Sequence, residues 1–235
     1  MRLDKLLANM GYGSRSDVKK ILKKGIVQID ETIAKNGKTQ VNPKEQEVFV
    51  NGEKVEYKEY VYLMMNKPKG VISATEDPVQ TSVVDLLEME DQIFNPFPVG
   101  RLDKDTEGLL LLTNDGKLSH EILSPKKKVG KRYWAKIAGE VTKIDVQAFS
   151  EGIELDDGYI TKPGQLTIVS SGPVSEIELT IMEGKFHQVK RMFRSVGKEV
   201  TELKRLQMGN LQLDNTLEPG EYRELTDNEL HLLRN

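Results

Sequence analysis

The segment GRLDKDTEGLLLLTNDG, residues 100–116, joins a polar loop to four consecutive leucines, residues 109–112. An apolar run of this length, closed by an Asp-Gly turn signal, predicts a short strand that is covered on both faces. Three carboxylates, Asp103, Asp105 and Glu107, lie in the loop before this strand. Because a packed strand limits the motion of the loop attached to it, the loop is a suitable place for a catalytic group.

Three interpretations of these carboxylates stay open at this point. In the first, they are only the polar side chains of a solvated turn. In the second, Asp103, Asp105 and Glu107 take the first, third and fifth positions of a calcium-binding loop, with Gly108 at the sixth. That pattern fails at its twelfth position, where Asn114 replaces the bidentate glutamate. In the third, one carboxylate is a catalyst that acts on a sugar or a base.

Length and composition narrow the class of protein. The chain has 235 residues, which is enough for two domains. It contains no cysteine, which excludes a disulfide scaffold, a thiol nucleophile and a cysteine metal site, and which fits a reducing compartment. The N-terminus has an acidic residue, Asp4, and no long apolar run, so neither a signal peptide nor a membrane span is expected. We therefore expect a soluble, cytoplasmic protein without a membrane partner.

Positive charge is concentrated at the N-terminus. The net charge is −3, yet residues 1–25 carry seven basic and two acidic side chains, or +5, which leaves −8 for the remainder. Apolar residues at helical spacing predict two short helices here, the second of them capped by Ser14. Arg15, Lys19 and Lys23 follow each other at four-residue intervals and share one face of that helix. One such face alone would usually only keep a protein soluble, but seven cations over two adjoining helices resemble a contact surface for a phosphate backbone.

Short motifs within the first 57 residues support this interpretation. They are Arg2-Leu3-Asp4-Lys5-Leu6-Leu7, Gly13-Ser14-Arg15-Ser16, Gly25-Ile26-Val27 and Val50-Asn51-Gly52. Together they resemble the small RNA-binding domain named after ribosomal protein S4. The resemblance implies an RNA-binding domain over residues 1–57 and a second domain over residues 58–235. RNA contacts are then expected from its basic side chains, namely Arg2, Lys5, Arg15, Lys19 and Lys23.

A second basic element follows the turn Glu183-Gly184-Lys185. Periodicity predicts a helix there with one apolar face, formed by Val189, Met192, Phe193 and Val196. Its other face carries the basic residues His187, Lys190, Arg191 and Arg194. Because the body of the chain is negatively charged, we interpret this face as a functional patch.

Five motifs occur in order along the second domain. They are Asn66-Lys67-Pro68-Lys69-Gly70, Gly100-Arg101-Leu102-Asp103 with Thr106-Glu107-Gly108, Lys131-Arg132-Tyr133, EGKFHQVKRMF at residues 183–193, and Leu203-Lys204-Arg205-Leu206. In this order they are similar to the ribosomal-RNA pseudouridine synthases of the RsuA family. The resemblance spans nearly the whole chain and implies an α+β fold, in which a small S4-like domain precedes a catalytic domain with a mixed, largely antiparallel sheet flanked by helices. It implies neither a cofactor nor a metal.

The resemblance also implies roles for single residues. Asp103 looks like the catalytic aspartate, and Lys190 looks like the cation that pairs with it, with Arg191 as the alternative. Tyr133 is similar to the tyrosine that stacks on uracil, and Ile181 to the aliphatic residue that packs under the base. Arg101 would fill the space that the flipped nucleotide leaves. The predicted RNA contacts in this domain are Lys67, Arg101, His187, Arg191 and Arg194.

The reaction that the resemblance implies places clear demands on the site. Uridine must be detached at N1 and rejoined through C5, so the enzyme needs a carboxylate at the sugar or base and a pocket that retains the freed uracil. A base stacked in RNA must first be flipped out. Whether Asp103 attacks C1′ of the sugar, adds to C6 of uracil or removes the 2′ proton stays open.

The expected substrate comes from the same resemblance. Residues 187–193 and the tail Pro219-Gly220-Glu221-Tyr222-Arg223 resemble the 16S rRNA branch, which implies uridine 516 as the target, a precursor ribonucleoprotein as the partner and a monomeric enzyme. One alternative is a 23S rRNA enzyme of the same family. A ribosome-associated RNA-binding protein without activity is a second alternative, and a glycosidase, which would need a second acid, is a third.

Overall fold

A computed structural model of the chain describes residues 1–124, 127 and 129–234. The chain divides into two compact units. One comprises Met1–Val61 with Glu88–Asn95, and the other comprises Tyr62–Leu87 with Pro96–Asn235. Within the described residues, no helix has both the length and the apolar character that a membrane span requires.

The first unit packs short helices on a small antiparallel sheet of strand order β2-β1-β3-β4. Ser14 and Asp17 form a capping box at the second helix, so the predicted cap is confirmed. Asn51 and Gly52 have positive φ angles of 54° and 85°, as a tight hairpin turn between two strands requires. The elements are α1 (Leu3–Asn9), α2 (Arg15–Lys23), β1 (Val27–Ile29), β2 (Thr32–Ile33), β3 (Val48–Val50), β4 (Glu53–Lys54) and α3 (Met89–Gln92).

The second unit is built on a nine-stranded sheet within the described residues. Its strands are β5 (Tyr62–Lys67), β6 (Phe97–Pro98), β7 (Glu107–Thr113), β8 (Lys131–Ala138), β9 (Gln165–Ser170), β10 (Val174–Ile181), β11 (Glu199–Met208), β12 (Leu211–Gln212) and β13 (Tyr222–Glu224). Its helices are a short 3₁₀ helix (Val84–Leu86), α4 (Gly116–Leu123), α5 (Lys143–Glu151), α6 (Gln188–Ser195) and α7 (Asp227–Arg234).

The order of the main strands is β13-β5-β7-β11-β8-β10-β9, while β6 pairs with β7 and β12 with β11. The pair β7–β11 is parallel, and the other strand pairs described in this sheet are antiparallel. The predicted α+β fold with a mixed, largely antiparallel sheet is therefore confirmed.

Strand β7 is covered on both faces, as its four leucines predict. Leu110 and Leu112 belong to one apolar core, and Leu109 and Leu111 belong to another. The Asp-Gly turn signal after the strand leads directly into a helix. The side chain of Asp115 accepts hydrogen bonds from two backbone N–H groups of α4, at 3.1 and 3.0 Å, and so caps that helix.

A close approach between two strands fixes the loop that precedes β7. Gly108 has a φ of 104° and lies opposite Arg205 of β11 in the parallel register. A Cβ atom at residue 108 would collide with the backbone oxygen of Arg205. Only glycine fits here, and its small size brings β11 directly against the entrance of β7.

Candidate active site

A cavity of about 130 Å³ opens where β7 begins. Its lining includes Asp103 from the loop, Tyr133 from β8, Ile181 from β10 and Lys190 from α6. Tyr133 is 7% exposed and Ile181 is 2% exposed, so an aromatic ring and an aliphatic side chain form part of the buried wall. The structure thus brings together four predicted site residues that lie far apart in the sequence.

The carboxylate of Asp103 is held between two basic side chains. The Nζ atom of Lys190 lies 3.2 Å from Oδ2, and Nε2 of His187 lies 3.5 Å from Oδ1. The Asp103 side chain is 28% exposed, so it is fixed in position while still facing solvent at the cavity. A carboxylate held in this way can meet a substrate without first reorganising.

Lys190 also contacts a second carboxylate, that of Asp105, to which the sequence analysis assigned no role. Its Nζ atom donates to Oδ1 of Asp105 at 2.5 Å, which is shorter than its distance to Asp103. Burial alone would raise the pKa of Asp105, but the hydrogen bond and the charge of Lys190 outweigh it and lower that pKa. The positive charge of Lys190 is therefore divided between two carboxylates of one loop.

Arg191, the alternative partner of Asp103, points elsewhere. Its guanidinium contacts the carboxylates of Asp156 and Asp157, with Nε of Arg191 2.6 Å from Oδ1 of Asp156. The RNA contact predicted for Arg191 stays a prediction, with two carboxylates already against its guanidinium. Arg194 is exposed and lies beside Arg191 in a separate cleft outside the central cavity.

A hydrogen-bonded turn presents His187. The buried Gln188 accepts a hydrogen bond from the backbone N–H of Lys185 at 2.8 Å and donates one to Oε1 of Glu183 at 3.0 Å. His187 then adopts a left-handed backbone conformation with a φ of 49°, and its ring stacks on Phe186 with centroids 3.8 Å apart. Strain of this kind is typical of residues that surrounding contacts hold for function.

The prediction that Lys67 contacts RNA is wrong, because the structure buries its side chain completely. Its ammonium group donates to the backbone oxygens of Pro68 at 2.9 Å, Asp103 at 3.1 Å and Thr106 at 2.9 Å, and lies 3.5 Å from that of Lys104. Burial lowers the pKa of Lys67 to about 8. Lys67 therefore fixes the backbone of the Asp103 loop by hydrogen bonds. Its buried ammonium group cannot contact a phosphate.

The remaining predicted RNA contacts lie at the surface of their units. Arg101 is exposed and belongs to the lining of the cavity. In the first unit, Arg2 forms a two-point ion pair with the buried Asp4, so part of its charge is used locally. The other basic side chains predicted there are exposed, namely Lys5, Arg15, Lys19 and Lys23.

Three further cations line the cavity, namely Lys131, Lys185 and Arg205, and the sequence analysis assigned no role to any of them. Two of them lie on strands: Lys131 begins β8, and Arg205, on β11, is 2% exposed. Burial and the neighbouring guanidinium of Arg205 both lower the pKa of Lys131. Both residues lie within quoted motifs, but a motif does not reveal that two strands turn these side chains toward one cavity.

Parts of the chain match two known families. Residues 61–195 match the RNA pseudouridylate synthase family, and residues 1–46 match the S4 domain. A solved structure described as a pseudouridylate synthase superimposes with a TM-score of 0.70 at 37% identity, covering 99% of each chain.

Several known proteins are similar to this chain over nearly its full length. A Bacillus subtilis protein described as an uncharacterized RNA pseudouridine synthase is 56% identical over 99% of this chain and 98% of its own. The ribosomal small subunit pseudouridine synthase A of Vibrio vulnificus is 40% identical, covering 98% of each chain. The ribosomal large subunit pseudouridine synthase B of Bacillus subtilis is 39% identical over 99% of this chain and 95% of its own. The chain therefore belongs to the RsuA family of pseudouridine synthases, enzymes that isomerise uridine to pseudouridine in RNA.

Proposed function

We propose that this enzyme isomerises one uridine of 16S rRNA, the family's uridine 516, within a precursor ribonucleoprotein in the cytoplasm. The observation that carries the proposal is the carboxylate of Asp103, which lies between Lys190 and His187 in a cavity walled by Tyr133 and Ile181. The likeness to a small subunit synthase of Vibrio vulnificus supports the choice of 16S rRNA. The enzyme acts as a monomer and needs no cofactor or metal.

Each side chain of the cavity has a part in the proposed reaction. Asp103 is the catalytic carboxylate that acts on the sugar or the base while the N1–C1′ bond breaks. Lys190 orients it and balances its charge. Tyr133 stacks on the uracil ring, and Ile181 packs against the opposite side of the base, so that the detached ring rotates without leaving. Arg101, exposed at the cavity, takes the place of the flipped nucleotide in the RNA.

Residues 1–57 deliver the catalytic domain, residues 58–235, to its substrate. The match of residues 1–46 to the S4 domain supports this division. The exposed face of α2, with Arg15, Lys19 and Lys23, contacts phosphates, together with Arg2 and Lys5. His187 and Arg194 add phosphate contacts around the second unit.

The role of Asp103 is tested by Asp103→Asn, which keeps the size of the side chain and removes its charge. We expect this variant to fold and bind rRNA as the wild type does, with turnover lowered by at least about 10³-fold, because no other group replaces the carboxylate. Release of tritium from [5-³H]uridine-labelled 16S transcript measures the reaction, and Asp105→Asn is the matched control from the same loop. Full turnover by Asp103→Asn would refute the assignment.

The target is tested by deleting the gene and mapping pseudouridine in both ribosomal RNAs with carbodiimide. The proposal expects the loss of one modification, in 16S rRNA, and its return on complementation with the wild-type gene. The likeness to the large subunit synthase B of Bacillus subtilis favours the second candidate, a uridine of 23S rRNA. Loss of a 23S modification with intact 16S rRNA would replace the first candidate by the second.

A further inference from the structure

Two polar atoms that belong to residues of the cavity lining are buried and have no hydrogen-bond partner among the described residues. They are Oγ1 of Thr106 and Nη2 of Arg205, whose residues are 1% and 2% exposed. Buried polar groups in proteins are almost always hydrogen-bonded. Two unpaired groups that line one cavity therefore point to a polar ligand that pairs with both.

The backbone and one hydrogen bond fix the guanidinium of Arg205. In the sheet, Arg205 lies opposite Gly108 of β7 on one side and opposite Tyr133 of β8 on the other. Its Nε atom donates to the backbone oxygen of Leu109 at 2.8 Å. Because the guanidinium is planar, this bond also sets the direction of Nη2, which becomes a preorganised donor.

The charges around Arg205 favour an acceptor atom in the ligand. Lys131 lines the same cavity, and Lys67 lies close enough for Arg205 to lower its pKa. A buried cation beside like charges destabilises a fold, and folds keep such arrangements mainly at functional sites. An oxygen with partial negative charge would compensate Lys131 and Arg205, the two of these cations that line the cavity.

We propose that Thr106 and Arg205 bind the base-pairing edge of the flipped uracil. Nη2 of Arg205 donates to O4 of the ring, the carbonyl oxygen that cytosine lacks, and Oγ1 of Thr106 pairs with the adjacent N3. The inference rests on the proposed function, since it takes the cavity to be the place of the flipped base.

This contact would select uracil over cytosine and would assist bond cleavage. Uracil has a carbonyl oxygen where cytosine has an amino group, so a fixed donor meets an acceptor in one base and another donor in the other. When the N1–C1′ bond breaks, its electron pair enters the ring and increases the negative charge on the carbonyl oxygens. A donor already in place stabilises that charge without reorganisation.

Nucleoside binding to the full-length protein tests the contact without any phosphate in the ligand. Saturation-transfer NMR should show uridine bound at least about tenfold more tightly than cytidine by the wild type. Thr106→Val and Arg205→Lys should lose this preference. Since Oγ1 of Thr106 has no protein partner among the described residues, Thr106→Val should keep or raise the melting temperature, which separates recognition from folding.

Arg132→Lys is the matched control. Arg132 lies on β8 and also has an unpaired buried nitrogen, Nε, but it is outside the cavity lining among the described residues. This variant should bind both nucleosides as the wild type does. Equal binding of uridine and cytidine by the wild type, or an unchanged preference in both Thr106→Val and Arg205→Lys, would overturn the inference. Displacement of uridine by millimolar inorganic phosphate only when Arg205 is present would assign that residue to phosphate and would overturn it too.

Labelled transcripts separate this inference from the proposed function. A protein that prefers uridine through Thr106 and Arg205 but modifies only 23S transcripts refutes the 16S proposal and leaves the contact intact. A protein that modifies 16S rRNA equally well with and without the Thr106 hydroxyl leaves the function intact and refutes the contact.

Discussion

The first unit carries its cations on an exposed helix face, whereas the second unit buries Lys67 and Arg205 around the loop that holds Asp103. On the exposed face, charges act through water, and each adds a small, salt-dependent increment to the attraction of a polyanion. The two buried cations act on particular oxygen atoms at hydrogen-bond distance. Lysine and arginine therefore attract RNA through their charge in the first unit, whereas in the second unit they hold particular oxygen atoms in place.

Removing the buried cation Lys67 should have the largest effect on both stability and turnover. Lys67→Met deletes the donor that holds the backbone oxygens of Asp103 and Thr106. We expect the free energy of unfolding to fall by roughly 3 kcal/mol, because buried carbonyl groups lose their partner. Turnover should fall at least about 100-fold, since the loop no longer fixes the carboxylate. Urea unfolding and tritium release measure the two losses, and near-normal values for both would contradict the positioning role.

Lys190 and Arg191 are neighbours on α6, but their substitution should affect turnover differently. Lys190→Met should lower turnover on the order of 100-fold, because Asp103 loses the cation that orients it, and the fold should change little. Arg191→Met is the matched control, since its guanidinium binds Asp156 and Asp157 away from the cavity. It should retain most turnover while lowering the melting temperature by a few degrees. A greater loss of turnover in Arg191→Met than in Lys190→Met would reverse the assignment.

Burial of Lys67 also predicts how stability depends on pH. The pKa of Lys67 is about 8 in the fold and near its ordinary value of 10.5 in the unfolded chain. Between these values the unfolded chain binds more protons, so the free energy of unfolding should rise with pH, by at most about 3 kcal/mol. Urea titrations from pH 7.5 to 10, at about half-unit steps, measure this rise. Lys67→Met should lack it, and identical pH profiles for both proteins would contradict the prediction.

Substitutions on the exposed basic face of α2 should have the smallest effect, and the effect should be on rRNA binding. Replacing Arg15, Lys19 and Lys23 together by glutamine should weaken rRNA binding by roughly tenfold at physiological salt, with unchanged turnover at saturating RNA. The slope of log affinity against log salt should decrease by about 2. Filter binding at several salt concentrations measures the slope. As a control on the same unit, Lys38→Gln removes an exposed cation outside α2 and should change the slope little.

Several parts of the fold follow from local sequence. The four leucines predict a strand covered on both faces, and the structure places them alternately in two cores. Ser14 precedes a helix and forms the cap that the sequence predicts. The Asp-Gly signal follows the end of β7, and its aspartate also caps the helix that comes next.

The sequence by itself determined the buried strand β7, the cap of α2, the order of the family motifs and the position of Asp103 at the entrance of that strand. These features depend on side-chain periodicity and on contacts within a few residues. Only the tertiary structure decided that Lys190 faces the cavity while Arg191 turns away, that Lys67 is buried, and that Thr106 and Arg205, which line one cavity, each have an unpaired buried atom. The reason is physical: each of these outcomes depends on partners from strands and loops distant in the chain, whose register and packing no local pattern encodes.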